Sequence, residues 1–201
     1  MMKKIVYLCA MCCVYTASLF SQSIVLTSGT IDFVKKSSVI EFIFTYDDML
    51  VGKMTEMEYI DKKVGDFNKK EEGRGDSWKR AWLGDRQARF EPKFKELFDK
   101  YLEKHDIVAG EEGADYRIVI NTDFTEPGWN VGVMRMNASL DLTCKVFDTA
   151  SGQPVAVIKV RNCSANNFSG TDFDTGFRIQ ECYAKAGREL AKFFIKKAKL
   201  K

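Results

Sequence analysis

One histidine, His105, is all the imidazole in this chain of 201 residues. A histidine-based triad or metal cluster would have to be built around it alone. It follows the last turn of a predicted helix, where a cationic ring simply suits the carbonyl end. Serine and cysteine hydrolases that rely on an imidazole base are disfavoured accordingly. No two of Cys144, Cys163 and Cys182 have metal-ligand spacing, and no glycine-rich run ends in Lys-Ser, so neither a zinc site nor a phosphate loop is written in the sequence after the first 23 residues. An excess of one charge is missing too. The formal net charge is +3, from 31 basic and 28 acidic side chains mixed along the chain. That balance calls for neither nucleic acid nor an acidic membrane. There is no internal repeat and no low-complexity tract.

What the sequence does have is one uncharged apolar run, at its start. Lys3 and Lys4 precede Ile5 to Phe20, and Ser18, Ser21 and Ser23 supply small residues for cleavage. As a helix those residues would span only about 24 Å, short of the roughly 30 Å of a bilayer core, which favours a cleaved signal peptide over a membrane anchor. We therefore expect residues 1–23 to be a signal peptide and 24–201 to be one α+β domain, exported to the periplasm or cell surface with no transmembrane segment after cleavage. Removing Lys3 and Lys4 takes the net charge from +3 to +1. Cys9, Cys12 and Cys13 lie in the signal without the small residues a lipidation site needs before its cysteine, so a lipid anchor is not expected. Cys144, Cys163 and Cys182 remain. They allow one disulfide plus a free thiol, or three buried free thiols.

Four segments alternate as half-buried strands. The first covers residues 38–46, with Ile40, Phe42, Phe44 and Tyr46 on one face. The second opens at Tyr116, with Ile118, Ile120 and Phe124. A third runs from about Val133 to Asp148 and a fourth from Pro154 to Cys163. Asp148-Thr149-Ala150-Ser151-Gly152 suits a hairpin between the last two. Pairings with an even residue sum set Leu140, Leu142 and Cys144 beside Ala156, Ile158 and Val160, and Asp141 opposite Lys159 or Arg161. Glu91 to Lys104 reads as a helix, with Pro92 in its first turn and a stripe of Phe94, Leu97, Phe98, Tyr101 and Leu102. A second helix, from Asp174 to Lys199, shows a narrow stripe of Ile179, Tyr183, Ala186, Gly187, Leu190 and Phe194, suited to close packing on a sheet. The expected fold is an α+β two-layer sandwich, a mainly antiparallel four-stranded sheet with two helices packed on one face, in the order strand-helix-strand-strand-strand-helix. Residues 47–84 read as an elaborated segment, with helical signal only at Tyr59 to Phe67 and Trp78 to Leu83.

Among polar and aromatic residues, Glu126-Pro127-Gly128-Trp129-Asn130 is a turn carrying a tryptophan, followed by Met134, Arg135 and Met136. A Trp beside an Arg and flexible Met side chains is the composition of a contact hot spot for a protein or a glycan. The plainer explanation is a Trp folded over a sheet end. Gly73-Arg74-Gly75-Asp76-Ser77 matches the adhesion tripeptide, but glycines at a turn and Asp76 or Ser77 capping a helix explain it equally. The polar loop from Cys163 to Asp174, with Asn166, Asn167, Ser169 and Gly170, could present amides to an anion, although Asp172 and Asp174 oppose one. No carboxylate pair stands out for acid–base work.

At Gly73 to Asp76, Thr125 to Met134 and Asp172 to Glu181 the chain resembles a family of uncharacterised exported proteins from Bacteroidetes. The resemblance implies that the adhesion-like tripeptide is a family segment, and it brings no catalytic residues. At fold level, Ala114-Asp115-Tyr116, the Phe147 to Gly152 turn and the closing helix with Ala184, Gly187 and Ala191 resemble the amino-terminal domain of TolB, the activator LpoB and the curli lipoprotein CsgG. That likeness implies an envelope role. Asp148-Thr149-Ala150 resembles an O-glycosylation acceptor of such bacteria, which marks Thr149. The sequence thus favours a non-enzymatic, exported binding or assembly module without cofactor or metal, contacting an envelope protein or glycan through Trp129, Asn130, Met134 and Arg135. The alternative is a hydrolase acting on envelope polymers through carboxylates from residues 47–84.

Overall fold

Alternation along each strand becomes rows of side chains across the sheet. One row runs Leu26, Ile158, Cys144, Ile120, Phe44, and its neighbour runs Ala156, Val146, Ile118, Phe42. The computed structural model that carries these rows describes residues 21–110, 113–131, 134–165 and 174–201. Residues 1–20 of the expected signal peptide (1–23) and residues 166–173 of the polar loop read for an anion (Cys163 to Asp174) lie outside them.

In chain order the elements are β1 (Ser23–Gly29), β2 (Val39–Thr45), β3 (Leu50–Val51), β4 (Met54–Thr55), α1 (Glu56–Asn68) and α2 (Arg74–Asp85). A single π turn, Arg86–Phe90, joins α2 without a break to α3 (Glu91–Leu102). Then come β5 (Val108–Ala109), β6 (Tyr116–Glu126), β7 (Trp129–Val131), β8 (Met134–Met136), β9 (Ser139–Asp148), β10 (Pro154–Ser164) and α4 (Thr175–Ala198). The main sheet has the order β1-β10-β9-β6-β2-β5, with β3 beside β6 and β4 beside β3, while β7 and β8 form a separate two-stranded sheet.

The chain is α+β, but the expected four-stranded, mainly antiparallel sheet with two helices is wrong. The sheet has eight strands and is mixed, since β2 runs parallel to β5 and to β6. The direction of β2 follows from its connection. A crossover holding α1, α2 and α3 returns the chain to the same end of the sheet, as parallel neighbours require. β1 offers too short an alternation, against the apolar leader, to be recognised, and two-residue strands have no periodicity to read. The predicted third strand is also two elements, because β8 pairs with β7 whereas β9 pairs with β6 and β10.

Residues 47–84 hold two helices. Thr55 and Glu58 form a reciprocal capping box at the start of α1. The apolar sides of α1 and α2 meet each other, in a cluster of Tyr59, Phe67, Trp78 and Trp82 whose ring centroids lie 5.2 to 5.9 Å apart. From Ala156 to Val160 the β9–β10 hairpin has the register of the even sums, with Ile158 beside Cys144 and Val160 beside Leu142, and irregularities after Pro154 and before Cys163 shift it at both ends. Arg161 lies 3.8 Å from Asp141, the cross-strand ion pair that register implies.

The inner face of the sheet is covered by α3 and α4 through edge-to-face aromatic contacts, Phe42 with Phe94 and Phe98 at 5.6 and 4.8 Å, and Phe98 with Phe194 at 5.9 Å. α4 is buried on two sides. The small residue in its stripe, Gly187, serves α3 rather than the sheet, since a Cβ there would stand 2.1 Å from the Phe94 carbonyl oxygen. Asp174 caps α4, accepting the Gly176 and Phe177 N–H groups at 2.8 and 3.3 Å, and Lys196 and Lys197 fall in its last turn. Cys163 points its thiol at the Cys182 carbonyl, 3.6 Å away, locking the end of β10 to the helix. No helix among the described residues is long and apolar enough to cross a membrane.

Gly187→Ala should force α3 and α4 apart and cost about 1–3 kcal/mol, the usual range for overpacking. Urea unfolding would register it as a lower midpoint at unchanged slope.

Candidate functional site

β6 ends on Glu126, whose carboxylate accepts the Gly128 N–H at 3.1 Å and tightens the turn into β7. Gly128 sits at φ +65°, and a Cβ there would be 2.4 Å from the Met136 carbonyl oxygen, so only glycine lets the hairpin fold onto its own root. From the other side α4 reaches up with Arg178, which is buried. Its Nε donates to the Pro127 carbonyl at 3.0 Å, and its Nη2 donates to the Gly128 carbonyl at 3.1 Å and to Thr175 at 3.0 Å. These are charge-assisted bonds in a place closed to water, which makes the root rigid.

Beyond the root the hairpin has no covering layer among the described residues. Its register sets Trp129 opposite Met136, Asn130 opposite Arg135, and Val131 opposite Met134. Alternation then puts Trp129, Val131, Met134 and Met136 on one face and Asn130 and Arg135 on the other. The four apolar side chains are exposed, Val131 by 65% and Trp129 by 41%. The predicted contact residues are therefore brought onto one hairpin but divided between its two faces, Trp129 and Met134 on one, Asn130 and Arg135 on the other. Arg178, which sets the position of all of them, carries no sequence signal beyond lying in a helix.

The adhesion-like tripeptide is the first turn of α2. Gly75 is buried where the helices cross, its N–H on the Asn68 side chain at 2.6 Å, and a Cβ would meet the Val64 carbonyl oxygen at 2.3 Å. Helix packing accounts for the glycine of the motif. Cys144, Cys163 and Cys182 are free and buried. Burial pushes the Cys144 and Cys163 thiols up to about 12 and Cys182 to about 11, so none is a ready thiolate. Thr149 is exposed at the tip of the β9–β10 turn.

Two polar networks complete the inventory. On the uncovered sheet face Asp123 accepts from Asn121, Thr143 and Arg161 at 3.1, 2.6 and 2.8 Å, and Glu41 pairs with Arg117 at 2.7 Å. Under the π turn, Tyr46 donates to Glu91 at 3.2 Å, Tyr183 and Thr122 share a bond of 2.5 Å, and Glu56 takes the Trp82 N–H at 2.6 Å while pairing with Arg86. The Arg86 guanidinium lies 4.0 Å over the Tyr46 ring. Burial raises both phenols, so they stay protonated donors. The cavity among them is about 10 Å³, room for a single water at most. This network ties the α2–α3 rod to β2, β6 and α4. Its members come from five separate segments, which is why no motif announced it. No group of three or more His, Cys, Asp or Glu among the described residues is placed to hold a metal ion.

Replacing Arg178 by Leu should release the hairpin root and cost about 2–3 kcal/mol. Trypsin would then cut after Arg135 faster than in the unaltered protein. Gly187→Ala, distant from the hairpin, should leave that cleavage rate unchanged.

No family model and no curated protein matches this chain. Among solved structures, it is similar to a dodecamer of PelC from Paraburkholderia phytofirmans, at 11% identity and TM-score 0.37, over 81% of this chain and 97% of that one. A PelC variant dodecamer from the same organism matches at 12% identity and TM-score 0.36, over 82% and 96%. A Xanthomonas campestris protein of the family DUF330 matches at 13% identity and TM-score 0.32, over 51% and 61%.

Proposed function

We propose that this chain is an exported, envelope-associated binding or assembly module that contacts a protein or glycan through the β7–β8 hairpin. One observation carries the reading. Trp129, Val131, Met134 and Met136 stand exposed together on a hairpin whose root is clamped by buried Arg178. Apolar side chains gathered on one small element, with nothing of their own fold to cover, are what a partner's surface can bury. A rigid root lowers the ordering cost of binding. Trp129 supplies a large flat anchor, the methionines adapt to the contour beside it, and Asn130 and Arg135 offer polar contacts from the reverse face. The envelope location rests on the basic and apolar leader, Lys3 to Phe20, and Thr149 on its exposed turn is a candidate acceptor for O-glycosylation.

Pull-down from envelope extract with the unaltered protein and with Trp129→Ala and Arg135→Glu tests this. Trp129→Ala should weaken recovery of the principal partner by about thirtyfold, the effect of losing a hot-spot anchor. Unchanged recovery with both variants would reject the hairpin as the contact.

A further inference from the structure

β1 is an edge strand, hydrogen-bonded to β10 on one side and to no described strand on the other. Natural edges are guarded by charge, proline, strong bulging or very short length. The opposite edge, β5, is two residues long, but β1 has seven residues, no charge and no proline. Its only irregularity is a bulge after Leu26. Two of its side chains are unfinished core. Ile24 and Leu26 extend the inner rows through Val160 and Ile158, yet remain partly exposed because the sheet stops there. On the other face Val25 is 50% exposed.

We propose that β1 pairs antiparallel with β1 of a second copy, making one continuous sheet through a two-fold axis at Val25. The sequence of the strand fits itself in that register. Ile24-Val25-Leu26 is palindromic in residue type, so Ile24 falls opposite the second copy's Leu26 and Val25 opposite Val25. Each of these facing pairs is apolar with apolar, and no side-chain charge meets its like. An isologous contact of this kind closes on itself and leaves no free β1 edge. It also continues the inner rows from one subunit to the next, finishing the cover that Ile24 and Leu26 lack. The pairing involves neither face of the β7–β8 hairpin and is independent of the function proposed above.

Light scattering on the purified exported protein, at concentrations up to about 100 μM, tests the pairing. The unaltered protein should assemble through this contact. Val25→Lys, which places like charges opposite each other at a surface position, should raise the dissociation constant about tenfold or more. Val25→Thr, which keeps a β-branched neutral side chain, should assemble as the unaltered protein does. Circular dichroism identical in all three would show that the subunit fold is retained. A monomer throughout the concentration range, or an assembly that Val25→Lys leaves intact, would overturn the proposal.

Discussion

The two-sided burial of α4 is the constraint on which the rest of the structure depends. One side of the helix meets the rows of β9 and β10, the other meets α3, and Gly187 allows the second contact only because it has no side chain to hold the Phe94 backbone away. Phe194 then reaches Phe98 and Phe33, and Tyr183 stacks on Phe90 at 5.1 Å, so the π turn between α2 and α3 is fixed by the same helix. A π turn widens the rod locally. Here it lets Arg86 turn toward Tyr46 and Glu56 while Phe90 remains in the core. Sheet, rod and closing helix form a unit in which the loss of one contact loosens the others.

The hairpin stands outside that unit. Arg178 is the joint between them, a core residue whose hydrogen bonds go to the root of a surface element. The arrangement separates two demands on the sequence. Residues such as Leu142 and Ile158 hold the fold and are unavailable for contact, whereas Trp129, Val131, Met134 and Met136 lie outside the core and are exposed. The α1–α2 pair is a second satellite, stabilised by its own aromatic cluster and attached through the network around Glu56 and Arg86.

How much of this was legible in the sequence depended on how local the cause was. The central strands and the long helices were readable because their burial is periodic, and the β9–β10 register could be worked out from residue sums because a short turn fixes it. The sheet was underestimated because pairing partners are not a local property. Nothing in Val39–Thr45 says that its neighbour arrives after three helices, and the edge strand β1 merges with the leader before it. The helices of residues 47–84 were faint because each buries few side chains, Ile60 in α1 and Gly75 and Trp82 in α2, among many charged and exposed positions. For the candidate site, composition pointed to one segment, Trp129 to Met136, but the division of its residues between two faces required the register, and Arg178 required the tertiary structure. The adhesion-like tripeptide shows the converse, a motif whose glycine is explained by a helix crossing.

The central claim is that the core forms without the hairpin, which is held at its root and otherwise exposed. Native-state hydrogen exchange tests it residue by residue. Amides of β6, β9, β10 and α4 should exchange only through global unfolding, with rates that climb steeply in mild denaturant. The amides of Trp129 to Val131 and Met134 to Met136 should exchange far faster and independently of denaturant, through local opening. Hairpin amides protected as strongly as that of Leu142 would contradict the account and make the hairpin part of the core.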